Sequence, residues 1–380
     1  MKDIKICLIS DTVFDLNGVS RFIQDMVKQS TETKKDFVVI TSTNKNDGIE
    51  YQNILNLKPI FKIKMPFYNS LDLVFPNFFK IYKAIKLVNP DIIHISTPGT
   101  VGLCGLISAK LLKKPIAGIY HTDFPQYIYK NTNSKILKFI SKKYLQVFYR
   151  NFKIIFSRSS SYRDIISKDI NFKIENIIDF KYGIDLNKYN KSHKDIKIWN
   201  KFNIRENNFK VLYVGRISKE KNIDKLIKVW KAKYLSMMDL ILVGDDELGI
   251  DKDKLLKYNI HFLGRQKGLT LSKIYASSNC FIFPSTTDTL GQVVLEALAS
   301  GLPAIVTNQG GPKEFVSNDY GYVLDINDRK SWIKAVKELY FKEKIYKSKS
   351  QKACNIMQKY NISNSFLDFW DKNQKLCKNS

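Results

Sequence analysis

The 380-residue chain carries 62 Lys and Arg against 36 Asp and Glu, a net charge of +26, with 44% hydrophobic and 13% aromatic residues. That length exceeds one compact core of ordinary size, so two domains are expected, and the apolar content excludes a disordered chain. No apolar run is long enough to span a bilayer, and the five scattered cysteines (Cys7, Cys104, Cys280, Cys354, Cys377) show no C-x-x-C spacing, which argues against a disulfide framework or zinc site and fits a reduced cytoplasm.

The N-terminal run MKDIKICLIS holds Lys and Asp among its apolar residues and reads as a first strand, not a signal peptide. Strands are predicted at Ile4–Ser10, Phe37–Thr41, Ile92–Ile95, Ile116–Tyr120, Ile154–Ser157, Lys210–Val214, Asp239–Val243, Cys280–Phe283 and Ala304–Thr307. Several are continuously apolar, as parallel strands covered on both faces require. Helical patterns such as Gly18–Gln29, Leu103–Leu112, Ile223–Lys231 and Gln292–Ser300 lie between them, giving βαβ units. The alternation pauses in the Lys/Asn/Asp-rich stretch Gly183–Asn203 and restarts at KVLYVG. Two doubly wound Rossmann-like domains are therefore expected, at 1–190 and 191–361, facing across a cleft. Ligands would sit at the carboxyl ends of the strands. Phe366, Phe369 and Trp370 share a helical face, so 362–380 should be a closing helix docked on the body.

The first strand runs into DTVFDLNGVSRF, where Asn17-Gly18 permits a tight turn. Backbone N–H groups there can approach a phosphate, or the glycine can serve the turn alone. Residues 51–150 hold 15 Lys and Arg against 3 Asp and Glu. A Lys-rich composition puts lysine on every exposed face, but such clustering favours an anionic partner, acidic lipid or nucleic acid. Within it, FKIKMPFYNS (61–70), FFKIYKAIKL (78–87) and SKILKFISKKYLQVFYRNFK (134–153) interleave cations with apolar residues. In the last, Ile136, Phe139, Ile140, Tyr144 and Phe148 fall near helical spacing among Lys135, Lys138, Lys142, Lys143 and Arg150. That pattern suits a membrane interface or ordinary packing on the domain. The G-x-x-G-x-x-G of TPGTVGLCG (Gly99, Gly102, Gly105) lacks the G-x-G-x-x-G spacing and the downstream acid of a dinucleotide site, and reads as close helix–sheet packing. His94 looks like a buried strand histidine. His121, closing the Ile116–Tyr120 strand, can hydrogen-bond a sugar hydroxyl or phosphate oxygen, or be satisfied locally.

In VGRISKEKNIDKL, Arg216 and Lys221 lie between a buried strand and a helix, where two cations can neutralise a diphosphate. Asp245-Asp246 and Asp251/Asp253 are isolated loop acids, read as solvated. The most informative stretch is PSTTDTLGQVVLEALASGLPAIVTNQGGPKEF. Asp288 stands in a Gly-containing turn and Glu296 in the following helix, either side of a helix N-terminus. A phosphate suits the helix end, and ionised carboxylates, being pure acceptors, suit sugar hydroxyls.

These segments resemble the retaining group 1 glycosyltransferases of GT-B fold, nearly end to end, with the YHTDFPQY form closest to mannosyltransferases and glycolipid synthases. The family pairs two glutamates with seven residues between them. Here Asp288 replaces the first and Glu296 matches the second. The resemblance implies that Glu296 holds the donor ribose and Asp288 the donor sugar. Leu290 and Gly291 would offer backbone groups to the sugar or phosphates. Arg216 and Lys221 would bind the diphosphate, Gly18 would approach it from the first domain, and His121 would sit near the reaction centre. It further implies no metal or other cofactor, a nucleotide-sugar donor and a lipid or glycan acceptor. The expected protein is cytoplasmic and peripheral to an anionic membrane surface, and does not take nucleic acid as partner. A nucleotide-sugar epimerase on the same plan, and a non-catalytic basic protein binding membrane or nucleic acid, are the rival readings.

Overall fold

The computed structural model describes residues 3–378 except 16, 46–47, 49–51, 65–71, 159, 181, 233–234 and 236, with the backbone alone at 161. The chain divides into two compact units, one of 1–183 with 362–380 and one of 184–361. The division falls seven residues before the expected 190. The cause is Ile184: its amide donates to Tyr360 O at 2.8 Å and it bridges Asn361, so the chain joins the second unit there.

In the first unit the strands are β1 (Ile6–Ile9), β2 (Phe37–Thr41), β3 (Ile54–Asn56), β4 (Phe61–Lys64), β5 (Asp72–Phe75), β6 (Ile92–Ile95), β7 (Ile116–Tyr120), β8 (Ile154–Ser157) and β9 (Ile177–Asp179). Seven of them form a sheet in the order β3-β2-β1-β6-β7-β8-β9, every pair parallel, while β4 and β5 make a separate antiparallel hairpin. The helices are α1 (Gly18–Glu32), α2 (Phe78–Val88), α3 (Thr100–Leu111), α4 (Phe124–Thr132), α5 (Lys135–Tyr149) and α6 (Ser161–Ile170).

The second unit repeats the plan. Its strands are β10 (Lys210–Val214), β11 (Asp239–Val243), β12 (Ile260–Gly264), β13 (Cys280–Phe283), β14 (Ala304–Thr307) and β15 (Gly321–Leu324). They run parallel in the order β12-β11-β10-β13-β14-β15. The helices are α7 (Ile223–Trp230), α8 (Lys252–Leu256), α9 (Gly268–Ser277), α10 (Gln292–Ala299), α11 (Arg329–Phe341) and α12 (Glu343–Met357), and the chain ends on α13 (Ile362–Lys378). Both are doubly wound α/β layers with the core between sheet and helices.

All nine predicted strands are present; the unpredicted β3, β9, β12 and β15 are the sheet edges. Edge strands face solvent along one side and so lack the continuous apolar runs that mark the interior ones. The hairpin β4–β5 lies in the basic aromatic segment, with Phe61 stacked on Phe75 at 4.3 Å. Helix α13 belongs to the first unit. Its Phe369 is fully buried and packs against His94, Phe156, Phe180 and Phe37, with ring centroids 4.9 to 6.3 Å apart. His94 Nε2 meets the Asn373 side chain, and Asn373 donates to Phe369 O at 2.8 Å, so the helix is keyed to β6 by a polar contact inside an aromatic cluster. Burial brings the His94 imidazole down to about 4, which keeps it neutral in that setting.

Phe369→Ala removes the ring at the centre of this cluster. It should destabilise the first unit by about 3–5 kcal/mol in urea unfolding; a loss below about 1 kcal/mol would show that α13 contributes little to this core.

Candidate active site

In the second unit the site builds on the carboxyl ends of β10, β11 and β13. Arg216 leaves β10 one residue after Gly215. Its guanidinium reaches Glu220 Oε1 at 2.6 Å and Glu247 Oε2 at 3.2 Å, so carboxylates from the loops after β10 and β11 orient it. The two loops are tied by the Ile217 amide on Asp245 O at 2.8 Å and the Glu247 amide on Ile217 O at 3.0 Å. Lys221 ends a short 3-10 turn and sets its ammonium on Asp288 Oδ2 at 2.7 Å. Next to it, Asn222 starts α7 and donates to Pro284 O at 2.9 Å, stitching the β10 loop to the β13 loop. Burial opposes ionisation of Asp288, but the Lys221 charge and hydrogen bond, with Ser285 and Arg216, outweigh it and hold the carboxyl below its usual range.

Asp288 lies in the turn before α10, whose first turn starts at Gly291. Gly291 has φ +73, a left-handed conformation, and a Cβ there would come within 2.6 Å of Pro312 Cγ, so the turn demands glycine. The preceding Leu290 is buried. Glu296, the fifth residue of α10, is fully buried, and Tyr275 of α9 donates to its Oε2 at 2.8 Å. Lys221 and Asp288 are thus in direct contact, Arg216 is near enough for its charge to act on Asp288, and Leu290, Gly291 and Glu296 lie on the same turn and helix.

Gly18 and His121 belong to the first unit. Gly18 opens α1 and is exposed, while the next two amides, Val19 and Ser20, donate to Asn17 Oδ1 at 2.9 and 2.8 Å. The helix start is therefore capped by its own asparagine. His121 is buried. Its Nε2 lies 2.8 Å from Ser96 Oγ and its Nδ1 3.3 Å from Arg158, and its ring packs on Phe22 of α1 at 5.4 Å. Burial, and then the Arg158 charge, hold the imidazole well below its usual range.

The glycines of TPGTVGLCG meet an internal carboxylate. Asp11, just past β1, accepts from the Gly99, Val101 and Gly102 amides at 3.0, 2.7 and 3.3 Å and from Thr97 Oγ1 at 2.7 Å. A Cβ on Gly99 would lie 2.5 Å from that carboxyl, and one on Gly102 1.9 Å from Thr97 O. Gly105 lies against Ile9 of β1, the close helix–sheet packing expected. The loop acids also have structural partners: Asp246 accepts from three following amides, Asp251 caps α8 and Asp245 pairs with Arg265.

Sequence reasoning missed Glu220, Glu247, Asp11, Ser96 and Arg158. Arg158 was accessible to it: like Arg216 it is an arginine just beyond a continuously apolar strand, and it is 6% exposed. Glu220 stands four residues after Arg216, the spacing of a helical ion pair.

Helix α5 splits the apolar stripe read from 134–153. Phe148 is buried in the core, and Tyr144 donates to Pro98 O at 2.6 Å. Ile136, Phe139 and Ile140 are exposed at 71%, 60% and 56%, with Val147 beside them. Of the surrounding cations, Lys142 pairs with Asp169 and Lys138 donates to Gln126. On α2, Ile81 and Ile85 face the core while Phe79 and Leu87 are exposed. All four residues of β4 are exposed, and Met65–Ser70 of the same segment lie outside the described residues. Among the described residues no helix is long and apolar enough to cross a membrane.

Residues 16–188 match the family described as Glycosyltransferase Family 4, and residues 195–356 match Glycosyl transferases group 1. The chain is 28% identical over 313 residues to the sulfoquinovosyl transferase SQD2 of Arabidopsis thaliana, covering 80% of this chain and 59% of that protein. It is 27% identical over 318 residues to the alpha-monoglucosyldiacylglycerol synthase of Streptococcus pneumoniae, covering 79% of this chain and 70% of that protein. Anabaena HepE, solved in complex with UDP-glucose, superposes with a TM-score of 0.75 at 16% identity, over 97% of this chain and 99% of that one. The two doubly wound units are thus a GT-B fold, and the chain belongs to the group 1 glycosyltransferases.

Proposed function

We propose that the protein is a retaining hexosyltransferase, taking a UDP- or GDP-sugar as donor and a lipid or glycan hydroxyl as acceptor. The observation that carries this reading is the Lys221–Asp288 pair beside the start of α10, with Arg216 held nearby at the end of β10. Arg216 and Lys221 neutralise the donor diphosphate. Both are already oriented by carboxylates, so little ordering remains to be done when a phosphate replaces or joins those partners. Leu290 and Gly291 present the α10 N-terminus to the same charge. Asp288 accepts from donor-sugar hydroxyls. Glu296 accepts from the ribose, which is compatible with its Tyr275 bond because an ionised carboxylate has about four acceptor sites.

In the transfer, the bond from the anomeric carbon to the diphosphate oxygen breaks and the electron pair leaves with the nucleoside diphosphate. The acceptor oxygen bonds to the same face, and its proton passes to the departing phosphate oxygen. The enzyme's main contribution is then electrostatic stabilisation of that leaving group, with two fixed cations supplying charge and no metal or organic cofactor assigned. His121 of the first unit is assigned to the donor sugar.

The acceptor is assigned to the first unit. A relative named as a diacylglycerol glycolipid synthase supports a lipid acceptor, and the UDP-glucose complex of HepE supports a UDP-sugar donor. The exposed Ile136, Phe139 and Ile140 among lysines on α5 suit an anionic membrane surface, where the protein would act peripherally from the cytoplasmic side.

A thermal-shift panel of UDP, GDP and their sugars should raise Tm for one nucleotide class; no response to any would overturn the reading. Lys221→Ala should keep the fold and lose about 100- to 1,000-fold in turnover, measured as nucleoside diphosphate released in the presence of acceptor. Near-normal turnover would remove Lys221 from the site. In co-sedimentation with phosphatidylglycerol vesicles, wild type should bind at low salt and Phe139→Ser with Ile140→Ser should bind several-fold less. Equal binding by the two proteins would place the membrane contact elsewhere.

A further inference from the structure

Ser96, His121 and Arg158 come from three adjacent parallel strands. Tyr120 of β7 is in register with Ser157 of β8, so His121 and Arg158 leave the sheet side by side, and Ser96 is the first residue beyond β6. The contacts between them have a fixed direction. A guanidinium only donates, so Arg158 Nη1 donates to His121 Nδ1 across 3.3 Å. That nitrogen then carries no proton. In the neutral ring the proton sits on Nε2, which donates to Ser96 Oγ at 2.8 Å. The guanidinium is held over the Tyr182 ring at 4.5 Å and the Phe22 ring at 5.7 Å, and Phe22 also packs on His121. Arg158 therefore links the histidine to α1, the helix that opens at Gly18.

We propose that Arg158 is a positioning residue for His121, fixing its neutral Nε2–H tautomer and its ring orientation. This rests on the assignment of His121 to the donor sugar. A buried arginine against an imidazole is an unusual choice if packing were the sole requirement, because two cations 3.3 Å apart cannot both persist. The consequence is a histidine that keeps one defined donor through mild acid. Among the described residues, the charged and titratable groups set near it include Arg158 beyond β8, Tyr182 against that guanidinium and, on its own segment, Asp123. The Asp123 carboxylate is turned to the Gln126 amide at 3.1 Å as the cap of α4.

The test starts on the wild-type protein, with long-range proton–nitrogen correlation spectra of its four histidines and His121→Gln for assignment. The expected result is an Nε2–H ring whose signals do not titrate through about pH 6.5, the ordinary histidine value. An Nδ1–H tautomer, or titration near that value, overturns the proposal. Nucleoside diphosphate release is then followed against pH in Arg158→Met and Arg158→Lys. Arg158→Met should match wild type within a few-fold at alkaline pH and lose about tenfold toward acid pH, at a pH still below the ordinary histidine value because burial alone keeps the ring low, with Arg158→Lys restoring the acid side. A loss equal at every pH, accompanied by a lowered Tm, would reduce Arg158 to a core residue. Full activity in His121→Gln, with the tautomer as expected, would instead withdraw His121 from the reaction and leave its positioning by Arg158 intact.

Discussion

A parallel sheet buried on both faces sends every one of its strands out through the same edge. That constraint places the chemistry in both units. Asp11, Ser96, His121 and Arg158 each stand within two residues of the end of β1, β6, β7 or β8, and Arg216 stands two beyond β10. None of these positions is fixed by a long loop. Each is fixed by strand register, and neighbouring strands bring their exit residues into hydrogen-bonding range without further machinery. Where two units use the same plan, the exits of each are the first place to look for function.

The cations at these exits are held by neighbours. Arg216 lies between Glu220 and Glu247, Lys221 lies on Asp288, and Arg158 lies over aromatic rings. A lysine or arginine carries large rotamer entropy, and restraining it before a ligand arrives removes that cost from binding. The exchange has a limit. A carboxylate that orients a cation also competes for it, so on the proposed role of Arg216 the pairing with Glu220 and Glu247 would set donor affinity together with the cation.

Most of the architecture could be read from the chain because interior parallel strands are continuous apolar runs. The edges could not, since β3, β9, β12 and β15 are only partly buried and interrupt their apolar residues with polar or small ones. At the site, Arg216, Lys221, Asp288 and Glu296 were legible because they stand in motifs with defined spacing to a strand or a glycine. Arg158 could be seen only as an arginine beyond an apolar strand and Ser96 not at all, although both occupy equivalent exits. Their meaning arises from lateral neighbours 37 and 25 residues away from His121, a relation set by strand order that a linear pattern does not contain. The stripe on α5 was legible only in part for a related reason. Helical spacing groups residues by face, but Phe148 is buried in the unit and Tyr144 reaches it only through its hydroxyl, while Ile136 and Phe139 stay exposed.

The Asp11 carboxylate sits on the amides at the start of α3, a helix end of the kind that can hold an anion. Any anion approaching that helix must first expel a charge that the chain itself supplies. The second unit carries no such plug from a capping side chain at Gly291, where α10 begins. The two units thus differ at a helix start: an internal carboxyl group occupies the amides of α3, while α10 begins at a glycine with no side-chain cap.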